Sequence, residues 1–459
     1  VVSMDGQGDI IRTGCQLNRY FASARDATRT KLWPLPVVGV LLAVAAGVSL
    51  PYLDAYVDAG LPSWSTAITF GGDAGAARTL LAAIASSLIT VTALTFSLTV
   101  VTLQLASSQF SPRLLRTFTS DIFVQTTLAI FLSTFTFALT VLRAVRSGDQ
   151  GGAFVPQISV TVAFALSIAS VLALVLFLAH LARQIRVETL LRDVHEEIIA
   201  TVRLATNPLE DARPQPTILT PPPHALQITA PSSGFLTSID EAELRAAAIQ
   251  ADGYLIIDCH PGSSLIEGVP IGAAWTAADR PDEALDRLQH AVRKSIKVGY
   301  ERTAAQDIGY GLRQLSDVVN KAVSPGINDP TTAVHALGHI SAILCQLANR
   351  DLRSIVLRGD DDEVRVVLHR PSFAEMVDVA VTQPRRYGAS DPQVMERLFR
   401  LLEELAWHAA DESTIRGQLA RLRATVARSD FDDTELTQLE RAGAQVEHAI
   451  THQPDQNIP

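Results

Sequence analysis

Cysteine is scarce in this chain, with three in 459 residues. Cys15, Cys259 and Cys345 sit in unrelated segments with no C-x-x-C pair, which argues against a disulfide framework or a cysteine zinc site and fits a reducing compartment. There is no cluster of Lys and Arg, and the net charge is −10. Nucleic-acid binding, which rests on neutralising phosphates, is therefore not expected. No G-x-S-x-G, H-E-x-x-H or P-loop signature is present, and an enzyme is not expected. Four long stretches lack Asp, Glu, Lys, Arg and His in their cores, the groups that proton relays, ion-coupled carriers and membrane-embedded hydrolases need. No glycine-broken pair of inverted repeats, of the kind that builds a carrier's midplane site, is visible.

What is present is a division. Nearly all long apolar runs lie before residue 181 and most of the charge after it, although the chain average is a mean hydropathy of +0.20 with 19% charged residues. Leu35 to Leu53, Leu80 to Gln109, Ile122 to Leu142 and Phe154 to Ala179 each have the length and composition of a membrane span. Arg12, Arg19, Arg25, Arg29 and Lys31 precede the first, and Arg183, Arg186 and Arg192 follow the fourth. The positive-inside rule then places both termini in the cytosol and the Asp54 to Asp73 loop outside, against the contrary Arg143 and Arg146. A cleavable leader ending at Ala43-Val44-Ala45 is the rival, but the charged leader is too long and the apolar run continues past it.

The second stretch is too long for a ~30 Å hydrocarbon core and carries hydroxyls on two sides. On a helical wheel Ser86, Thr90, Ser97, Gln104 and Ser108 form one stripe, and Thr92, Thr95, Thr99 and Thr102 a nearly opposite one. The first stripe supplies the candidate pore-lining residues. The plainer reading is that both stripes pack on neighbours or return their hydroxyls to carbonyls four residues back. From Phe154 to Thr206 no glycine occurs and the only proline is Pro156, so the fourth helix is expected to continue past the membrane as a stalk. Val187, Leu191, Val194, Ile198 and Val202 form an apolar seam on it, packing either within the chain or between copies.

The second half is expected to be a mainly helical α+β region. A Pro-rich linker spans 207–232, a small β module 233–280, and a mainly helical domain 281–459. Asp258, Cys259 and His260 are adjacent on an alternating strand and have no positioned partner, so they are not taken as catalytic. Asp329 and Pro330 open a helix as N-cap and first residue. His335 and His339 stand one turn apart on it, at the spacing that lets two imidazoles share a metal, with Asp307 and Asp317 as candidate further ligands. Ser372 with Glu375 reads as a capping box, and Asp391-Pro392 as another helix start. Arg370, Arg385 and Arg386 form the one basic concentration of the tail and are candidates for binding an anion.

Four segments carry a resemblance: Gln104-Leu105-Ala106-Ser107-Ser108-Gln109-Phe110-Ser111-Pro112-Arg113; Gly299-Tyr300-Glu301-Arg302-Thr303 with Gln306-Asp307; Gly311-Leu312-Arg313-Gln314-Leu315; and Ser324-Pro325-Gly326-Ile327-Asn328-Asp329-Pro330-Thr331-Thr332-Ala333. Together they resemble a bacterial family of predicted membrane proteins with a domain of unknown function. The resemblance implies a bacterial plasma-membrane protein over most of the chain, and it carries no activity, cofactor or site. The expectation is a polytopic α-helical membrane protein with four transmembrane helices and a cytosolic C-terminal half. It would be a homo-oligomeric channel or channel-like protein or, alternatively, a membrane-anchored scaffold or signalling protein that meets a cytosolic partner. The sequence specifies no cofactor.

Overall fold

The structure, a computed structural model, describes residues 33–57, 69–109, 121–146, 154–184, 186–211, 219–276, 282–408 and 411–452. The described residues divide into two compact units, up to and including Arg186 and from Val187 onward. The basic N-terminal segment, the loop tip around Trp64 and the Gly148–Gly152 turn lie outside the described residues.

The N-terminal unit consists of α1 (Pro34–Val57), α2 (Ala74–Gln109), α3 (Ile122–Ala144) and α4 (Gln157–Gln184). The third helix is the centre, packed against each of the other three. Phe131, Phe137 and Val141 of α3 form the core with Leu81 and Leu88 of α2 and Val160 and Ala163 of α4. Gly47 sets the approach of α1, because a Cβ there would stand 2.8 Å from Thr140 Cβ. Small residues that let backbones close in this way are the usual means of helix association in lipid. The opposite surface is apolar as well: Leu41, Leu42, Val171, Leu172 and Val175 are exposed.

These helices run past their apolar stretches, and the overruns bring polar groups to the ends. Asp54, expected in the loop, lies instead in the last turn of α1 and is 5% exposed. It accepts the main-chain N–H groups of Ile158 (2.9 Å) and Ser159 (3.0 Å) and the Ser159 hydroxyl (2.6 Å), so it satisfies the free donors at the start of α4. At the other end Asp121 caps α3 through Phe123 N–H (2.8 Å). Its second oxygen receives His180 Nε2 at 2.6 Å and the Gln184 amide.

The expected uninterrupted helix from the fourth span through Thr206 is corrected. It divides into α4, which ends at Gln184, and α5 (Val187–Ala205). Packing explains the division, since the seam turns inward within the chain: Leu191, Val194, Ile198 and Val202 are almost fully buried within the C-terminal unit. Gly311 admits that seam, because a Cβ there would lie 2.1 Å from Ile198 Cγ1.

The C-terminal unit continues with β1 (Leu226–Thr229), β2 (Gly234–Ile239), α6 (Glu241–Gln250), β3 (Gly253–Ile257), β4 (Ser264–Leu265), β5 (Pro270–Thr276), α7 (Asp282–Ser295) and β6 (Ile296–Gly299). Then follow α8 (Ile308–Ala322), α9 (Pro330–Ala348), β7 (Ile355–Arg358), β8 (Val364–Leu368), α10 (Phe373–Tyr387), α11 (Pro392–Ala406), α12 (Glu412–Val426) and α13 (Asp433–Thr451). A five-stranded sheet has the order β1-β5-β3-β8-β7, antiparallel except for the parallel β3–β8 pair, and a three-stranded sheet has the order β4-β2-β6. Helices α6 and α7 cover the larger sheet over a core that includes Leu244, Leu255, Ile257, Leu288 and Val366. The β structure therefore reaches beyond 233–280, drawing strands from 226–229, 296–299 and 355–368.

Among the described residues, five helices are long and apolar enough to cross a membrane: α1 to α4 and also α9. The last differs from the others in its setting, being packed against α5, α8, α10 and α11. Its Leu337, Ile340, Ile343, Leu344 and Leu347 are wholly buried in the C-terminal unit.

Candidate functional site

The two hydroxyl stripes of α2 are used differently. Thr92, Thr95, Thr99 and Thr102 face inward and are buried. Each donates to the carbonyl four residues back, at 2.6, 2.8, 2.9 and 2.9 Å. That half of the helix needs no outside partner. Ser86, Thr90, Ser97 and Gln104 are exposed on the other side. Thr90 returns its hydroxyl to the Ser86 carbonyl (3.1 Å), whereas the Gln104 side chain, a primary amide, is exposed on the outward face. The Ser108 side chain lies outside the described residues. Leu98, between the stripes, packs inward with Val124, Leu128, Phe177 and Leu181.

In the C-terminal unit an open groove of about 700 Å³ lies between α5, α9 and α11. His335 and His339 line it, as their spacing suggested, and the fold adds His195 from α5. The rings of His195 and His339 meet edge to face, with centroids 5.2 Å apart. Burial lowers the pKa of both imidazoles; Glu196 and the His339 main chain oppose this at His195, while His195 and His335 reinforce it at His339. Arg397, Arg400 and Glu404 of α11 form the facing wall. Glu404 accepts from Arg397 Nη2 (3.0 Å), Arg400 Nε (3.5 Å) and the Ser341 hydroxyl.

Asp307 and Asp317 do not reach this groove. Asp307 is held elsewhere: it caps α8 through Tyr310 N–H (3.0 Å) and takes Arg302 Nε (2.8 Å) and Nη2 (2.6 Å) on its other oxygen. Burial raises its pKa against the opposing pull of Arg302. Gln306 beside it accepts the Ile239 N–H (3.0 Å), so this motif ties β2 to the start of α8. Among the described residues, no group of three or more His, Cys, Asp and Glu is placed to hold a metal ion.

The three candidate anion-binding arginines do not converge. Arg370 lies before the first residue of α10 and Arg385 in its last turn, about 22 Å apart along a helix. The Arg370 guanidinium bonds the Ala205 carbonyl and so ties down the end of α5. Arg385 donates to Thr425 Oγ1 (2.7 Å), and Arg386 is exposed beside it. Burial, then the charges of Arg421, Arg386 and Arg428, lower the Arg385 pKa. Burial pushes the Cys259 thiol up to about 11, which keeps it protonated at neutral pH.

Comparison with known proteins places this architecture. The family model described as "Predicted membrane protein (DUF2254)" matches residues 29–404. The chain belongs to this family. The curated relatives of this DUF2254 chain include Uncharacterized protein Mb1321c of Mycobacterium bovis and Uncharacterized protein Rv1290c of Mycobacterium tuberculosis. Each is 33% identical over 429 residues, which is 93% of this chain and 82% of the relative. No solved structure matches. The DUF2254 match takes in α1 to α4 and the whole groove, ending at Glu404, and leaves α12 and α13 beyond it.

Sequence reading missed His195, Arg397, Arg400 and Glu404, because three helices far apart in the chain have to pack before these residues meet. One local signal was available. Gly338, one residue before His339, is a glycine inside a long apolar helix, where glycine costs about 1 kcal/mol relative to alanine.

Proposed function

We propose that this DUF2254 protein is the subunit of a symmetric homo-oligomeric, channel-like protein of the plasma membrane. The second helix lines the shared axis, and the C-terminal unit serves as a cytosolic regulatory domain. The supporting observation is the outward stripe of Ser86, Thr90, Ser97 and Gln104, left exposed while the opposite threonine stripe is buried and internally bonded. In hydrocarbon an amide and a row of hydroxyls favour protein or water over lipid, and closed symmetry gives each copy of α2 both. In this reading α1 to α4 cross the bilayer with both termini in the cytosol, and α9 stays in the cytosolic core behind its amphipathic neighbours.

Planar-bilayer recording tests it. The reading expects currents that change when Ser97 or Gln104 is replaced by a bulky or charged residue and stay unchanged for Leu172→Phe on the outward face of α4. Silent bilayers, or a monodisperse single chain in nanodiscs at rising protein concentration, would overturn it and favour a membrane-anchored scaffold. The fully exposed Tyr300, 94% accessible at the end of β6, is the feature such a scaffold would offer a partner.

A further inference from the structure

The arginines at the end of α10 find other company than Arg370. Arg385 donates to Thr425 Oγ1 (2.7 Å) on α12. Arg421 lies one turn before Thr425, and Arg428 one turn after it, where the main chain still bonds back to the Thr425 carbonyl (3.0 Å). Residues so spaced share a helix face. Arg421 and Arg428 therefore flank the contact, and Arg386 adjoins it on α10. The crowding is felt at Arg385, whose pKa is lowered by burial and then by the charges of Arg421, Arg386 and Arg428. Four guanidiniums thus gather where the C-terminal ends of α10 and α12 meet.

Their neutralisation is incomplete. Elsewhere on α12 each arginine has a carboxylate, Arg416 with Glu412 and Arg423 with Glu447. In the cluster Asp378 pairs with Arg421 (2.8 Å) and also takes the Thr382 hydroxyl and the Gln418 amide. It stands two turns before Arg385, about 10 Å along the helix. Among the described residues no carboxylate pairs with Arg385, Arg386 or Arg428. The acids next in sequence are placed otherwise: Asp391 and Asp432 cap the helices that follow, and Asp430 is exposed past the end of α12. Two helix C-termini contribute about half a negative charge each. A surplus of about one to two positive charges remains, the lower figure with Asp430 counted, in a chain whose net charge is −10.

The surplus is accessible. Arg386, Arg421 and Arg428 are exposed, and Tyr387 beside them is 63% exposed. Guanidiniums side by side on two helix ends present charge to a surface, and tyrosine is a residue that settles at headgroup level. A freely diffusing polyanion is repelled by the net charge of the chain. Lipid headgroups are held near by the chain itself, since only Ile185 and Arg186 separate α4 from α5.

We propose that the joined ends of α10 and α12 dock, through Arg386, Arg421, Arg428 and Tyr387, on the phosphates of anionic lipids in the bilayer that holds α1 to α4. The inference rests on the membrane placement of α1 to α4 proposed above and not on a pore, so silent planar bilayers leave it standing.

Hydrogen exchange of the full-length protein is compared in nanodiscs of phosphatidylcholine and of phosphatidylcholine with phosphatidylglycerol. Expected is slower exchange over 384–391 and 424–431 only where phosphatidylglycerol is present, reversed at about 1 M salt, where screening acts over about 3 Å. Arg386→Gln and Arg428→Gln should each weaken the docking about fivefold and together abolish the slowing. Unchanged exchange in the buried helix α11 checks that the double variant is folded. Arg287→Gln with Arg293→Gln, the same change of charge on the exposed side of α7, should keep the slowing, which separates this patch from general attraction. Equal exchange in the two lipids, slowing that survives the Arg386 and Arg428 double variant, or slowing lost in the α7 pair would overturn the proposal. Slowing by inorganic phosphate in phosphatidylcholine alone would overturn it in favour of a soluble ligand, and slowing there that grows with protein concentration in favour of a second copy.

Discussion

The two units lean to different degrees on two shared ways of satisfying polar groups, since hydroxyls also turn back on their own helices in the C-terminal unit, at Thr201, Ser316 and Thr425. In the N-terminal unit hydroxyls turn back on the helix that bears them: Thr92, Thr95, Thr99 and Thr102 on α2, Thr127, Thr134 and Thr140 on α3. In the C-terminal unit the helix starts are closed by side chains from the preceding turn, among them Asp307, Asp329, Ser372, Asp391, Asp411 and Asp432. With α1 to α4 read as membrane spans and the C-terminal unit as cytosolic, as proposed above, the difference follows from the two surroundings. A helix that water cannot reach does best carrying its partners with it, whereas a helix end at a wet surface can draw on an ionised cap. The exceptions are instructive: Asp54, Asp73 and Asp121 act as caps in the first unit, all at helix ends.

Substitutions can break this contrast or sharpen it. Leu402→Ala in α11, wholly buried, should cost about 2 to 5 kcal/mol in chemical denaturation of the intact chain in nanodiscs, followed by the fluorescence of Trp275 and Trp407. Asp54→Ala strands two main-chain donors and a hydroxyl at the start of α4, an expected loss of about 3 kcal/mol; a loss no larger than that of a threonine variant would remove Asp54 from the exceptions. Asp329→Ala should cost about 1 kcal/mol. Bonds from Thr332 hold the Asp329 pKa below its ordinary 3.8. Its contribution is therefore complete above that value and lost as pH falls through the lower folded one, so the parent and Asp329→Ala curves should converge in acid. Thr95→Val should change stability least, by under about 0.5 kcal/mol, because the Val91 carbonyl keeps its main-chain donor. A larger loss would show that this hydroxyl serves a neighbour.

Features decided within a few residues were legible in the sequence. The apolar runs Leu80 to Gln109 and Ile122 to Leu142 correspond closely to α2 and α3. The caps Asp329 and Asp391 and the Ser372–Glu375 box are local patterns that the structure reproduces. The two faces of α2 followed from the wheel, although which one turned inward did not. What stayed hidden depends on distant contacts. The seam from Val187 to Val202 has the same spacing whether it packs on a sister chain or on α8, and only Gly311, three helices away, admits Ile198. Asp54 reads as a loop residue until α4 brings Ile158 and Ser159 to it. His195 reads as one polar residue on a seam until His339 arrives beside it.

The parallel pairing of β3 with β8, Leu255 against Val366, imposes a timetable on the making of the protein. During synthesis β3 leaves the ribosome some 110 residues before its neighbour, a wait of roughly 5 to 20 seconds at ordinary elongation rates. Throughout it one flank of a strand carrying Leu255 and Ile257 has no partner. Unpaired apolar edges of that kind are where nascent chains pair with the wrong neighbour. Chaperone dependence should therefore centre on the interval in which α8 and α9 are being made. A fragment cut after Ala348, however natural a helix boundary it offers, should accumulate as aggregate, because it carries the strand without the one that closes it.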